Sequence, residues 1–513
     1  MGQIFLLIFL VTGILSHATD KPNIIIIYTD DHGWPDVGPA GIHKDLKTPH
    51  LDALAASGVR CTDGYSSAPQ CVPSRAGLMT GKYQNRINVP ANGSDLTTFN
   101  KELTVAEHLK RAGYVTGQIG KWHLGPGNEI GSHGFDFFYN KNANRPCWGN
   151  FDLNGEKSKP KIKPHKEYHL DDCSAHALSF IRAQKDKPFF LYLAYRAPHV
   201  PLDAPKKHLA RFPGEMPERR RQALAMIAAM DDGVGAITAE LANFKLTQKT
   251  IIFYIGDNGA PLKIHKVDAP GGGPGWDGSL NEPLNGEKGM LTEGGIRVPF
   301  LVSWPGTIPA GQIYKRPVIA LDATVTALEL AGLKVPDLDG RNILPQLKGK
   351  KKEDAHEALY WRWVGQAVVR QGDWKLLRLG SRAYLFDLAT DEEERKNLIK
   401  ERPQIAAKLG ALLDTWEASL PESSDFGSGI TAQGNRYFDH YLDGKRQPRP
   451  QPKKAPAIPD DQIFKARDKN KDDQVTLEEF IAGRTGKKAP EITRHFKRRD
   501  LNKNGTWEKD EIR

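Results

Sequence analysis

At 513 residues the chain exceeds one average hydrophobic core and has room for a large domain with smaller modules. Its 39% hydrophobic and 26% charged residues are ordinary for a globular protein and exclude wholesale disorder. Lys and Arg outnumber Asp and Glu by 72 to 62, which favours anionic partners, but the basic residues are scattered and no recognition-helix or stacking-sheet signature accompanies them, so nucleic acid is not an expected partner.

The first element is the apolar run Ile4–Leu15, too short to span a bilayer comfortably and followed by Ser16-His17-Ala18. It predicts a signal peptide over residues 1–18 and a secreted or periplasmic mature protein. No Lys or Arg precedes the run, so an uncleaved anchor or a buried strand is the alternative. No other stretch is long and apolar enough for a stable membrane span. The four cysteines, Cys61, Cys71, Cys147 and Cys173, are too few for a disulfide scaffold. Export permits a Cys147–Cys173 bridge without establishing one.

Pro22–Tyr28 is a continuous β-branched run, as expected of a strand buried on both faces of a parallel sheet. Phe189–Tyr195, Thr250–Ile255 and Val298–Trp304 are runs of the same kind, and helical patterns at Val105–Arg111, Ala175–Ala183 and Ala223–Leu241 lie between them. This alternation predicts an α/β fold with a doubly wound, mostly parallel sheet over residues 19–357 and ligands at the carboxyl ends of its strands. From Leu359 the pattern changes to closely spaced strand candidates, Tyr360–Trp363, Gln366–Arg370, Trp374–Leu379 and Ala383–Leu388, with a helix near Pro403–Leu420. They predict a small C-terminal antiparallel subdomain over 358–440. Residues 441–460, Pro-rich and charged, read as a linker, and 461–513 as an appended helical module.

Asp30-Asp31 ends the first strand, and Asp257-Asn258 ends the strand at Tyr254-Ile255-Gly256. Either pair alone is a common cap or turn, but both follow buried strands and so deliver oxygen ligands to one sheet edge. Oxygen donors favour calcium, or magnesium, over zinc. Cys71-Val-Pro-Ser-Arg75 precedes Ala76–Gly81, placing a nucleophile at a helix start with an Arg one turn on, a field suited to an anionic substrate. Lys121-Trp-His123, Ala197-Pro-His199 and Gly286-Glu-Lys288-Gly289 add basic groups beside glycines or prolines. With the metal they would surround a tetrahedral anion.

On these motifs, with Glu293–Pro299 and the segment Leu385–Leu398, the chain resembles the type I sulfatases of the alkaline-phosphatase-like superfamily over roughly residues 22–420. Met79 and Lys82 stand where that family's maturation signature more usually has Leu and Arg. The resemblance implies that Cys71 is oxidised to formylglycine by a formylglycine-generating maturation enzyme. It makes Asp30, Asp31, Asp257 and Asn258 ligands of a calcium ion, with residue 71 completing the shell. It gives Arg75 the task of holding the hydrated aldehyde, and Lys121 and Lys288 that of holding sulfate oxygens. His199 would protonate the leaving oxygen and also contact sulfate, His123 would assist release, and Asp257 would take the attacking proton. The alternatives are a phosphodiesterase or phosphonate hydrolase of the same superfamily, or a non-catalytic glycan-binding protein. The last requires loss of a central residue, and none is missing. Export and positive charge suggest a sulfated polysaccharide or oligosaccharide as substrate.

The last module carries its own signal. Asp468, Asn470, Asp472, Gln474 and Glu479, and again Asp500, Asn502, Asn504, Thr506 and Glu511, occupy positions one, three, five, seven and twelve of two EF-hand-like calcium loops. Val475 and Trp507 at position eight are expected to pair the loops. Gly505 suits the sharp turn of the second, whereas Asp473 replaces glycine in the first.

Overall fold

The computed structural model describes residues 21–140, 168–265, 276–421, 427–445, 460–481, 496 and 504–509. The expected signal peptide, Cys147, most of the Pro-rich linker, and Asp500, Asn502 and Glu511 lie outside the described residues. Among the described residues no helix is long and apolar enough to cross a membrane.

The main sheet is built from β1 (Asn23–Asp30), β2 (Gly58–Cys61), β4 (Val115–Gly120), β5 (Phe137–Asn140), β6 (Phe189–Pro198), β7 (Thr250–Gly256), β8 (Phe300–Ser303) and β9 (Gln312–Tyr314), in the order β5-β4-β6-β1-β7-β8-β2-β9. A short parallel ladder of β3 (Gly64–Tyr65) with β10 (Val318–Ile319) lies beside it. The central strand explains the architecture. Ile24, Ile26 and Tyr28 enter one core with Val105 and Leu109 of the helix Val105–Arg111, while Ile25 and Ile27 enter another with Leu224 and Ile227 of the helix Glu218–Asn243. A run with no polar face is thus covered by helices on both sides, each buried Ile contributing about 2 kcal/mol of transfer free energy.

The doubly wound expectation holds with one correction. Val298–Trp304 does yield β8, but that strand runs antiparallel to both β7 and β2, so the sheet is mixed. The reason is where the chain re-enters: the Gly256 N–H donates to the Pro299 carbonyl at 3.1 Å. The intervening loop therefore returns at the edge it left, with no crossover to carry it to the other end.

The strands β11 (Leu359–Trp363), β12 (Gln366–Gln371), β13 (Trp374–Leu379) and β14 (Arg382–Asp387) form the expected antiparallel meander. The helix Pro403–Ala418 covers it with Leu409, Leu413 and Trp416, spaced for one helical face. This core is continuous with the main domain through Tyr65, Met290, Leu291 and Ile319. A further helix, Gly427–Tyr441, has no counterpart in the sequence expectations. Gly427, Gly429 and Gly434 weaken its propensity, and burial of Tyr437 and Phe438 offsets them.

The chain divides into two compact units between Gln447 and Pro448. In the second, the helix Asp460–Arg467 and the helix Leu477–Ile481 accompany β15 (Gln474–Thr476) and β16 (Thr506–Glu508). Val475 faces Trp507 in the antiparallel register, and both are buried with Phe464, Phe480 and Phe496. Asp473 and Gly505 share a left-handed backbone, at φ 60° and 91°.

Candidate active site

Four adjacent parallel strands, β4, β6, β1 and β7, end at one edge with Gly120, Pro198, Asp30 and Gly256, and the register sets Gly120 beside Ala194, Asp30 beside Pro198 and Thr29 beside Gly256. The next residues along each chain are Lys121, His199, Asp31 and Asp257. The topology therefore delivers two acids, a lysine and a histidine to a single point at the carboxyl edge, where doubly wound sheets collect ligands. Asp31 makes the turn with φ 56°, a conformation that Asp tolerates better than most residues, and its N–H donates to Asp257 Oδ1 at 3.0 Å.

Above this edge Cys71 opens the helix Cys71–Thr80, all of whose residues are buried. Cys71 Sγ lies 3.5 Å from Asp30 Oδ1 and 3.3 Å from Lys288 Nζ. One turn on, Arg75 donates to Asp257 Oδ2 at 2.7 Å, to the Tyr192 hydroxyl at 3.1 Å and to the Lys121 carbonyl at 3.2 Å. Lys121 Nζ reaches Asp30 Oδ2 at 2.6 Å and Lys288 Nζ reaches Asp31 Oδ1 at 2.5 Å. Asp30, Asp31, Cys71 and His199 each offer one ligand atom, and these atoms lie within 4.8 Å of one another.

The charges interlock. Asp30 is held well below the usual carboxylate range, because Lys121, His199, Arg75 and Lys288 outweigh the cost of its burial. Burial, reinforced by Asp30, instead pushes Asp257 up to about 7, and burial pushes the Cys71 thiol up to about 12. His199 is pushed down to about 4, chiefly by burial, although Asp30 and Asp31 pull the other way. Its Nδ1 lies 2.6 Å from the Val200 carbonyl, which can only accept, so the hydrogen sits on Nδ1 and Nε2 faces Asp31 Oδ2 at 3.6 Å. His123, with φ 62° and Nδ1 lacking a hydrogen-bond partner, is pushed down to about 2, first by burial and then by Lys121 and Arg75.

The oxygen set fits a hard cation. Asp31 Oδ2 and Asn258 Oδ1 are buried and accept no hydrogen bond, although Asn258 Nδ2 donates to Asp31 Oδ1 at 2.7 Å. Buried acceptors without donors are costly unless a cation meets them. All the residues singled out in the first unit thus converge, whereas the loop residues from Asp468 onward belong to the second unit. Sequence reasoning missed Asp277, fully buried beside Asp31, and Tyr192, whose hydroxyl supports Arg75. A carboxylate two residues past the Gly-rich stretch 271–275 was the available signal for Asp277; Tyr192 reads as an ordinary strand residue.

Residues 22–333 match the family model described as sulfatase, and residues 286–418 the one described as N-sulphoglucosamine sulphohydrolase, C-terminal. The chain is similar to N-acetylgalactosamine-6-sulfatase of Mus musculus, with 32% identity over 415 residues, 73% of this chain and 75% of that protein. It is 30% identical to arylsulfatase A of Bos taurus over 486 residues, covering 81% and 92% of the two. The crystal structure of Ps i-CgsB in complex with k-i-k-neocarrahexaose superposes with a TM-score of 0.71 at 31% identity, over 81% of this chain and 97% of that one.

Proposed function

Because this chain belongs to the sulfatase family and is a sulfuric ester hydrolase, we propose that it removes sulfate esters from a sulfated polysaccharide or oligosaccharide, using formylglycine at position 71. The observation that carries this reading is the enclosure of Cys71 by Lys288, Lys121, Arg75 and His199 over an edge of hard oxygens. Such a pocket complements a tetrahedral anion. The similarity to proteins named for an amino sugar sulfate, and to one crystallised with a neocarrahexaose, supports a carbohydrate substrate.

Asp30, Asp31, Asp257 and Asn258 would hold a calcium ion, or magnesium, with residue 71 beside them. Bound there, the cation would act as a Lewis acid on sulfate and template the site. Formylglycine supplies a hydrated aldehyde, one hydroxyl for attack on sulfur and a second whose deprotonation expels sulfate as the aldehyde re-forms. Arg75 orients the diol, Asp257 takes the attacking proton, and Lys121 and Lys288 bind sulfate oxygens. His199 Nε2 delivers a proton to the departing ester oxygen, and a sulfate ester beside it favours the protonated ring. His123 assists release. We further propose that residues 461–513 form an EF-hand pair. The pairing of Val475 with Trp507 and the matched left-handed backbone at Asp473 and Gly505 support this.

The test is the mass of the peptide spanning Pro69–Lys82. An aldehyde or its hydrate in place of the thiol is expected, in a fraction that scales with specific activity, and replacing Arg75 or Pro73 lowers that fraction. Fully active protein with an intact Cys71 thiol would refute the mechanism.

A further inference from the structure

Lys288 is unusual among the basic residues of the site in its support. Lys121 and His199 follow β4 and β6 directly, and Arg75 stands on a helix, but Lys288 sits in a loop with neither strand nor helix around it. Gly286 and Gly289 flank it with φ 86° and 88°. An ammonium on a flexible stem is placed only as well as its backbone is placed.

Two of the groups that fix this loop belong to the first part of the chain. The Lys288 N–H donates to the Ala260 carbonyl at 3.1 Å and the Gly289 N–H to the Pro69 carbonyl at 3.0 Å. Further contacts come from the C-terminal subdomain. The Gln366 amide donates to the Gly289 carbonyl at 3.0 Å and accepts from the Leu291 N–H at 2.9 Å. The Tyr437 hydroxyl donates to the Lys288 carbonyl at 3.2 Å. Trp363, opposite Gln366 in the β11–β12 register, donates from its indole to Gln70 at 3.3 Å, and Gln70 immediately precedes Cys71. No space is left between the parts: a Cβ at Gly289 would stand 2.9 Å from the Tyr437 hydroxyl and 3.5 Å from the Trp363 ring.

Gln366 and Tyr437 are themselves buried. A buried amide that pairs with two loop backbone groups is satisfied in one placement of that loop and leaves costly unpaired groups in any other. We infer that Gln366 and Tyr437, with Trp363 beside them, are positioning residues that fix Lys288 against residue 71, which makes the antiparallel subdomain part of the sulfate site. The inference rests on the proposal that Lys288 binds sulfate.

The experiment compares Gln366→Leu, Tyr437→Phe and Lys288→Ala in the full chain, with a small aryl sulfate as substrate and inorganic sulfate as competitive inhibitor. Formylglycine content is measured by peptide mass, so that maturation is held apart from binding. Gln366→Leu and Tyr437→Phe are expected to raise KM and weaken sulfate inhibition by about 5- to 10-fold each, as loss of one or two hydrogen bonds implies. Introduced into Lys288→Ala, they are expected to add nothing further, because their effect passes through Lys288. Unchanged sulfate inhibition in both variants, or a loss that persists undiminished in the Lys288→Ala background, would overturn the inference. If Lys288→Ala itself leaves KM and sulfate inhibition unchanged, the sulfate role of Lys288 fails, and the inference with it. Tyr437→Phe removes a single oxygen and carries the test should Gln366→Leu not fold.

Discussion

His199 shows how one side chain's role follows from its two nitrogens. With Nδ1 committed to the Val200 carbonyl, only Nε2 is free for chemistry, and burial keeps the unliganded ring neutral at pH 7. Its proton matters in proportion to the basicity of the leaving oxygen. His199→Ala is therefore expected to slow a sugar sulfate about 100-fold or more while slowing an activated aryl sulfate about 10-fold or less, read as kcat/KM on the two substrates. Equal slowing would assign His199 to sulfate binding alone. At this scale Asp30, Asp31, Cys71, Arg75 and His199 were legible, because each stands at the end of a strand or in the first turns of a helix that its own neighbours announce. Asp277 and Tyr192 were not: one depends on where a loop folds back, and the other on which ring the Arg75 guanidinium meets.

Among the elements, β13 makes the most telling join. Lys375, buried in that strand, pairs with Glu293 at 2.8 Å and Glu394 at 2.8 Å, and the Glu293 N–H donates to Glu394 Oε2 at 2.7 Å. Two carboxylates thus share one ammonium. Burial, with Glu293 nearby, pushes Glu394 up to about 7 from an ordinary value of 4.5. A raised carboxyl binds its proton more tightly in the folded state, so the folded protein loses stability as pH climbs from 4.5 to about 7. Glu394→Gln keeps an acceptor for the Glu293 N–H and cannot ionise. It is expected to flatten that decline and to stabilise the protein by about 2 to 3 kcal/mol at pH 8 relative to pH 5, read as denaturant midpoints across pH. A variant whose pH dependence matched the parent would show that Glu394 is already charged. The four strands here were legible from their alternation and turns. The direction of β8 and the helix Gly427–Tyr441 were not, since the first is decided by the edge at which a long loop returns and the second by distant aromatic burial.

On the scale of the whole molecule, the boundary near Pro448 separates two cores with their own aromatic clusters. Truncation there is expected to leave turnover of a small aryl sulfate within about 2-fold of the full chain and to abolish calcium binding by the loops, measured by calorimetry on both proteins. Complete loss of activity in a folded truncation would show that the second unit is needed for catalysis. The linker composition made the division legible, but nothing in residues 358–440 announced that their meander braces the loop carrying Lys288. The wholly buried helix Cys71–Thr80 adds a consequence in time. If residue 71 is oxidised as proposed, its burial in the folded chain would confine that step to the interval before the main sheet closes over it. On that proposal a chain that missed the interval would stay inert, and the specific activity of a preparation would record a race between the modifying enzyme and the collapse of the chain, which slowing the collapse would tilt towards the enzyme.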